Sequence, residues 1–216
     1  MYSPEEICNL ALSYLRAPSI QSINEKSIEG LQCKLHYDIC RKTVLDELEW
    51  TFTRRRKALV QLSSEQVVDY RYVYAMPANV HAINCITVKL PEEVLNGNYN
   101  GVYTDLPVEK LKPYVAEYII TTTGTDRVIA SNQRDLIIDY NEDVTDYSLY
   151  PAKFIMALSH LLASKLAVAV VGYDDGRSMV NENINAYVMY LEAAKADDVN
   201  LQGAQERESE FVLERF

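Results

Sequence analysis

The chain has 216 residues, of which 48% are hydrophobic and 24% charged, and its formal net charge at pH 7 is -10. This length allows one domain with a good core, or a compact domain with an insertion. The composition is that of a globular protein and excludes a disordered chain. An acidic surface repels phosphate, which argues against broad nucleic-acid binding.

The cysteines and the apolar segments indicate neither a metal site nor export. The four cysteines are Cys8, Cys33, Cys40 and Cys85. They form no C-x-x-C pair and have no histidine at zinc-finger spacing, so we expect buried, reduced thiols. Glu5 and Glu6 stand where a signal peptide would carry Lys or Arg, so we expect the chain to stay in the cytoplasm where it is made. The most apolar run, residues 154–171, is interrupted by polar residues and predicts a buried helix.

Two helices are predicted at the N-terminus. Ser3 suits an N-cap, Pro4 a first helical position, and Glu6 completes a capping box. The first helix carries one apolar face: Ile7, Leu10, Ala11, Tyr14 and Leu15. A second helix is predicted over about Ser27 to Leu48, with an apolar side made of Cys33, Tyr37, Cys40, Val44 and Leu48. Leu31, Leu35 and Ile39 widen that stripe, so we expect this helix to contact two neighbours.

The middle of the chain has the pattern of strands and turns. Apolar and polar residues alternate in five candidate strands: Val67 to Tyr74, His81 to Leu90, Tyr114 to Thr122, Val128 to Ala130 and Leu136 to Tyr140. Between the second and third, the stretch from Asn96-Gly97 through Tyr99 to Asn100-Gly101 has the turn chemistry of an exposed hairpin tip.

Helical periodicity returns after the strands. Pro151 suits a first helical position, and the helix that follows is apolar nearly all round, so we expect it to be central. Gly172 and Gly176 are predicted to bracket a tight turn. A fourth helix is predicted over about Arg177 to Val199, with Val180, Ile184, Tyr187, Val188 and Leu191 as its face.

We therefore predict an α+β, mainly α fold: a four-helix bundle of two N-terminal and two C-terminal helices, with an inserted β-rich subdomain and a flexible C-terminal tail. The expected divisions are residues 1–50 with 151–200 for the bundle, 51–150 for the insertion and 201–216 for a docking tail. Phe211, Leu213 and Phe216 are candidate anchors of that tail.

The sequence offers no pattern for catalysis or cofactor binding. His36, His81 and His160 lie in three different predicted elements and are interpreted as structural. Residues 139–143 place oxygen side chains at alternate positions, as a calcium loop does. However, Val144 and Tyr150 occupy the positions that need glycine and glutamate. A solvated acidic loop explains the same residues, so we expect no catalytic residue, no cofactor, no metal, and no enzymatic activity.

Arg54, Arg55, Arg56 and Lys57 form the sharpest charge feature. In a strand these side chains would point to alternate faces and could not form one flat patch. A subunit contact with acidic residues is the favoured interpretation, while a solvated face and DNA binding stay open.

Four stretches of the chain resemble the opening of phage tail tubular protein A and related head-to-tail adaptor proteins. They are Ile7-Cys8-Asn9-Leu10-Ala11-Leu12, residues 20–27, Cys33 through Tyr37-Asp38 to Arg41, and Glu49-Trp50-Thr51-Phe52-Thr53-Arg54-Arg55. The long apolar helix after Pro151 is also similar to that family, whereas the middle matches only in general character. Ala17-Pro18 departs from the family, since many members have a glycine turn there.

The resemblance implies a structural virion protein: an adaptor ring of twelve copies below the portal of a short-tailed phage. DNA would pass through the channel without sequence-specific binding, and an acidic wall would keep the duplex from sticking. The implied partners are the portal protein, neighbouring copies, and a downstream tail or nozzle protein, with no membrane. Candidate contact residues, besides the basic cluster, are Asn96, Gly97 and Tyr99 at the hairpin tip and the three anchors of the tail. The alternative is a small cytosolic enzyme or ligand-binding protein with a site built from scattered carboxylates and tyrosines.

Overall fold

The computed structural model describes residues 2–89 and 115–213, and it divides the chain into two compact units. The helical unit comprises residues 1–52 and 144–216, and the sheet unit comprises residues 53–143. The chain therefore leaves the helical unit after Phe52 and returns to it at Val144.

The helical unit contains four helices in the described part of the chain. Their bounds are α1, Pro4–Tyr14; α2, Ile28–Asp46; α3, Ala152–Val171; and α4, Tyr173–Leu213. A short 3-10 turn, Tyr147–Leu149, precedes α3. The predicted capping box of the first helix is confirmed, since the Ser3 hydroxyl accepts from the Glu6 amide and the Glu6 carboxylate accepts from the Ser3 amide. Pro151 is the N-cap of α3 and not its first residue.

Helix α3 lies at the centre of the helical unit, as its apolar circumference predicts. It packs against α1, α2 and α4, and eleven of its residues are buried. An aromatic cluster closes one end of this core, where Trp50 and Phe52 meet Phe154 edge-on, each at 5.2 Å between ring centroids. Trp50 and Phe52, the two aromatic residues of the conspicuous Trp50-Thr51-Phe52 sequence, therefore pack in this core.

Helices α3 and α4 approach each other closely where α4 begins. Gly172 ends α3 with a φ of 102°, a conformation that other residues rarely adopt. Gly176 lies inside α4, and a Cβ placed there would meet the Ala167 carbonyl oxygen at 2.9 Å. Only the first of these two glycines forms the turn; the second permits the close packing of the helices.

The sheet unit contains two three-stranded antiparallel sheets within the described residues. The strands are β1, Arg54–Ala58; β2, Tyr72–Ala75; β3, Val80–Val88; β4, Tyr118–Thr123; β5, Asp126–Ser131; and β6, Leu136–Glu142. One sheet has the order β1-β6-β3 and the other β2-β5-β4. The unit has its own apolar core, in which Ile86, Ile129 and Ile138 are fully buried.

The prediction of a four-helix bundle with an inserted β-rich subdomain is wrong. The chain is α+β, with four helices and two three-stranded antiparallel sheets, at about 47% helix and 23% strand. Alternation of apolar and polar residues locates strands but does not show how they pair, so the second sheet and its separate core could not be predicted. The tail prediction also differs, because α4 begins at Tyr173 and its backbone continues to Leu213.

Helix α3 is long and apolar enough to cross a bilayer by length and composition, with a mean hydropathy of 2.0. Of the most apolar 18-residue stretch of this helix, 61% is buried inside the protein. Core helices of globular proteins pass the same test, so this helix is weak support for a membrane span.

Candidate functional site

Helix α2 presents apolar side chains on two opposite sides. Its inner side, with Cys33, Tyr37, Cys40 and Val44, is buried in the core, as the sequence predicts. Its outer side carries four large aliphatic residues that are 55–62% exposed: Ile28, Leu31, Leu35 and Ile39. At about 100° per residue these four fall within about 80° of one another, roughly opposite the inner side. We call them the α2 stripe.

The sequence predicts a second neighbour for α2, and in the described residues the α2 stripe has none. The stripe lies on the side of the helix that faces away from α3. Four adjacent exposed aliphatic side chains form a patch and not a scattered set, and such patches are typical of interaction sites. The stripe is therefore the first candidate contact surface of this chain.

Helix α4 carries a second apolar surface. The sequence assigns Ile184, Val188 and Leu191 to one buried face, and only Leu191 is buried. Ile184 and Val188 are 41% and 48% exposed. We call these two residues the α4 stripe. Both α2 and α4 pack on α3. The α4 stripe lies along the edge of the buried face of α4, next to Leu191, so the two stripes are on different helices of the same unit.

The basic cluster lies in β1 and is held by its neighbour β6. Arg54 donates from Nε and Nη2 to the Asp139 carboxylate, at 3.1 and 2.8 Å, and Arg55 pairs with Glu142 at 2.9 Å. Lys57 Nζ lies 5.8 Å from the centroid of the Tyr140 ring. Each partner lies two residues along β6 from the residue directly opposite in the β1-β6 register, which is the diagonal geometry of cross-strand pairs on one face of a sheet.

This arrangement gives most of the cluster partners within the chain. As the alternation predicts, Arg54 and Arg56 lie opposite Asn141 and Asp139, whereas Arg55 and Lys57 lie opposite the core-facing Tyr140 and Ile138. The four charges are thus divided between two faces and largely matched by β6. A contact of the cluster with a neighbouring copy stays a prediction.

The acidic stretch at residues 139–143 is not a solvated loop. Asp139 and Asn141 belong to β6 and are buried, and Asn84 Nδ2 bridges their side-chain oxygens at 3.1 and 3.2 Å. Alternate polar residues here are one face of a strand, which explains the spacing that resembles a calcium loop. Burial by itself would raise the pKa of Asp139, but hydrogen bonds from Arg54 and Asn84 lower it further than burial raises it.

We expect Asp139 to make the sheet unit acid-sensitive. Because its pKa is lower folded than unfolded, its contribution is present above the unfolded pKa of about 3.9 and is lost as pH falls through the folded value. Asp139→Asn should cost about 1–2 kcal/mol at neutral pH, a figure reduced by the exposure of Arg54, and should flatten this acid dependence. Hydrogen exchange of β6 amides between pH 7 and 3 measures both effects. Exposed Asp126→Asn is the control, and equal exchange in the two variants would contradict the prediction.

For the remaining predicted contact residues, the structure describes no side-chain contacts. Asn96, Gly97 and Tyr99, at the predicted hairpin tip, and Phe216 lie outside the described residues. The backbone of Phe211 and Leu213 belongs to α4. Their roles stay predictions.

The histidine with the most contacts, His160, has a structural environment. Its ring stacks between Tyr14 and Tyr190, with centroid separations of 4.0 and 5.4 Å. Its Nδ1 lies 2.9 Å from the Asn183 Oδ1, and Asn183 Nδ2 donates to the Met179 carbonyl. The amide is therefore oriented with oxygen toward the imidazole, so Nδ1 carries the proton of this hydrogen bond.

An open depression in the sheet unit is lined mainly by apolar side chains. Its volume is about 430 Å³, and its lining includes Leu62, Met76, Pro77 and Val80, with Asp126 and Arg127 at its side. The strongest pKa shifts lie elsewhere, in the helical core, where burial raises the pKa of Cys40 to about 11 and also raises that of Tyr37. Neither Cys40 nor Tyr37 lines this depression.

Comparison with known proteins identifies no relative: no protein-family model matches the chain, and no curated protein matches it. The two apolar stripes are candidate contact surfaces, and no matching family indicates what would cover them.

Proposed function

We propose that this chain is a structural virion protein, a head-to-tail adaptor that assembles side by side into a ring between the portal and the rest of a phage tail. The observation that carries the proposal is the pair of exposed apolar stripes on one helical unit. A ring is closed by heterologous contacts, in which one surface of each copy meets a different surface of the next. Two separate apolar surfaces on α2 and α4 supply that requirement.

The charge distribution supports a channel through which DNA slides. The chain carries 31 acidic against 21 basic residues, and its densest basic segment is largely matched by Asp139 and Glu142. Phosphates therefore meet few concentrated cations on the described surface. DNA would pass without sequence-specific binding. The resemblance of the N-terminal segments to head-to-tail adaptors points to the same role.

The size of the stripes indicates assembly on a template. Fully burying a large aliphatic side chain contributes about 1.5–3 kcal/mol, so four that are about 60% exposed can add roughly 4–7 kcal/mol. Association costs roughly 4–15 kcal/mol in lost freedom. The free energy gained by burying the stripe and the free energy lost on association nearly cancel, so we expect a monomer in dilute solution. A portal that holds neighbouring copies at high local concentration would drive ring formation.

Electron microscopy of the purified chain, alone and mixed with the portal protein of the same phage, tests this function. We expect monomers alone and rings with the portal. Leu31→Glu with Leu35→Glu should abolish rings, lowering the fraction of portals that carry one at least tenfold, because two charges would have to be buried in the contact.

Val68→Glu is the matched control, since Val68 is 85% exposed and belongs to the sheet unit and not to either stripe. Thermal unfolding should show both variants folded. Wild-type protein that never binds the portal would refute the proposed function, and rings that form equally well with the two glutamates would show that the α2 stripe is not a ring contact.

A further inference from the structure

We infer that the α2 stripe of one copy packs side by side and parallel with the α4 stripe of the next, with Leu35 and Ile39 against Ile184 and Val188 and with Lys42 paired to Glu192. This inference rests on the proposed ring and names the two surfaces that meet in it. The occupant of the α2 stripe is thus a second copy of this chain.

The two stripes have matching spacing. Leu35, Ile39 and Lys42 follow one another at intervals of four and three residues along the outer side of α2. Ile184, Val188 and Glu192 follow at intervals of four and four along α4. At about 1.5 Å per residue, the first set spans about 10 Å and the second about 12 Å. Each stripe therefore presents two aliphatic side chains followed by one charge, and the charges have opposite sign.

Lys42 and Glu192 each make an exposed ion pair within the chain, with a residue that has a second ionic partner. Lys42 pairs with Asp38 at 2.8 Å, but Asp38 also holds Arg41 at 2.8 Å. Glu192 lies 3.5 Å from Lys195, which is closer to Glu47, at 3.1 Å. Lys42 and Glu192 are 48% and 67% exposed, and exposed pairs of this kind are weak. Exchanging them for one contact between copies leaves Asp38 and Lys195 each with a partner.

Only the parallel orientation matches the charges. When Leu35 faces Ile184 and Ile39 faces Val188, Lys42 falls beside Glu192. In the antiparallel orientation Leu35 faces Val188, and Glu192 then falls opposite Leu31, which would bury a carboxylate against an aliphatic side chain. The charge at the end of each stripe therefore selects the orientation.

A charge exchange tests the pairing. Lys42→Glu and Glu192→Lys should each lower ring occupancy on the portal about tenfold, because each places like charges together. The double variant should return to within about twofold of wild type. Thermal unfolding of the monomers controls for folding, and added salt should weaken wild type and the double variant alike.

A crosslink tests the geometry independently of charge. Leu35→Cys combined with Ile184→Cys should give a covalent ladder of several subunits when rings on the portal are oxidised, and each single variant should give none.

The possible outcomes separate the two proposals. The ladder together with rescue supports the pairing. Rings without a ladder or without rescue would show that the adaptor function stands and this pairing is wrong. Dimers from Leu35→Cys alone would show a symmetric contact between two α2 helices, which also overturns it. Wild-type protein that forms no ring under any condition would overturn the pairing and the proposed function together.

Discussion

Trp50→Ala is expected to lower the free energy of unfolding of the helical unit by about 4 kcal/mol, near the middle of the range for truncating a buried aromatic. Trp50 is 1% exposed, its indole Nε1 donates to the Val44 carbonyl at 2.9 Å, and its ring meets Phe154 edge-on. Truncation leaves a cavity and removes one of the two hydrogen bonds that the Val44 carbonyl accepts, the other coming from the Glu47 amide. Because domains are stable by only about 5–15 kcal/mol, this loss is a large share of the total.

Far-UV circular dichroism at increasing urea concentration measures this effect, since the helices dominate the signal. Trp50→Phe is the matched variant, because it keeps an aromatic ring and loses the hydrogen bond, and it should cost about 1–2 kcal/mol. An alanine variant as stable as the phenylalanine variant would show that the aromatic cluster does not stabilise the core.

Asp198→Ala is expected to destabilise the helical unit by about 2–3 kcal/mol. Asp198 is buried on α4, where both carboxylate oxygens accept from the Thr51 amide at 3.1 Å and one accepts from the Thr51 hydroxyl at 2.9 Å. Removing the carboxylate takes away charge-assisted hydrogen bonds and leaves a shielded amide without this acceptor. The segment after α2 would lose its attachment to α4.

Asp197→Ala is the matched control for this change. The Asp197 side chain is 56% exposed and pairs with Lys153 at 2.7 Å, so its loss should cost less than about 1 kcal/mol. Trp50, the single tryptophan and the neighbour of Thr51, reports the local state by its fluorescence. A red shift in Asp198→Ala but not in Asp197→Ala is expected. Equal stability of the two variants would contradict the assigned role of Asp198.

Trp50 and Asp198 show how much of the core can be predicted from the sequence. The resemblance draws attention to the segment from Glu49 to Arg55, and the structure shows that Trp50 and Phe52 in it serve the core and that Arg54 and Arg55 hold β1 to β6. Asp198 falls near the predicted end of the fourth helix and carries no signal in the sequence. Its partner is 147 residues away, and no local pattern predicts a contact of that separation.

The sequence shows the apolar residues of both stripes, but it predicts that neighbouring elements cover them. Leu31, Leu35 and Ile39 correctly widen the apolar surface of α2, and periodicity cannot tell whether a second apolar side is covered by the same chain or by another. For the same reason, periodicity places Ile184 and Val188 on one helix face together with Leu191. Burial depends on which elements pack against a helix face. The exposure of the two stripes therefore follows only from the packing of α2 and α4 on α3.

Local chemistry determined the beginning and period of the elements. Ser3 and Glu6 fix the first helix by hydrogen bonds over three residues, the apolar circumference of residues 154–171 makes α3 central, and alternation locates the strands near Val80 and Leu136. Long-range packing alone decided the rest: the division into two sheets with their own core, the partners that β6 supplies to the basic cluster, and the exposure of the two stripes. These features depend on contacts between residues far apart in the chain, and the free energy of such contacts has no counterpart in local sequence.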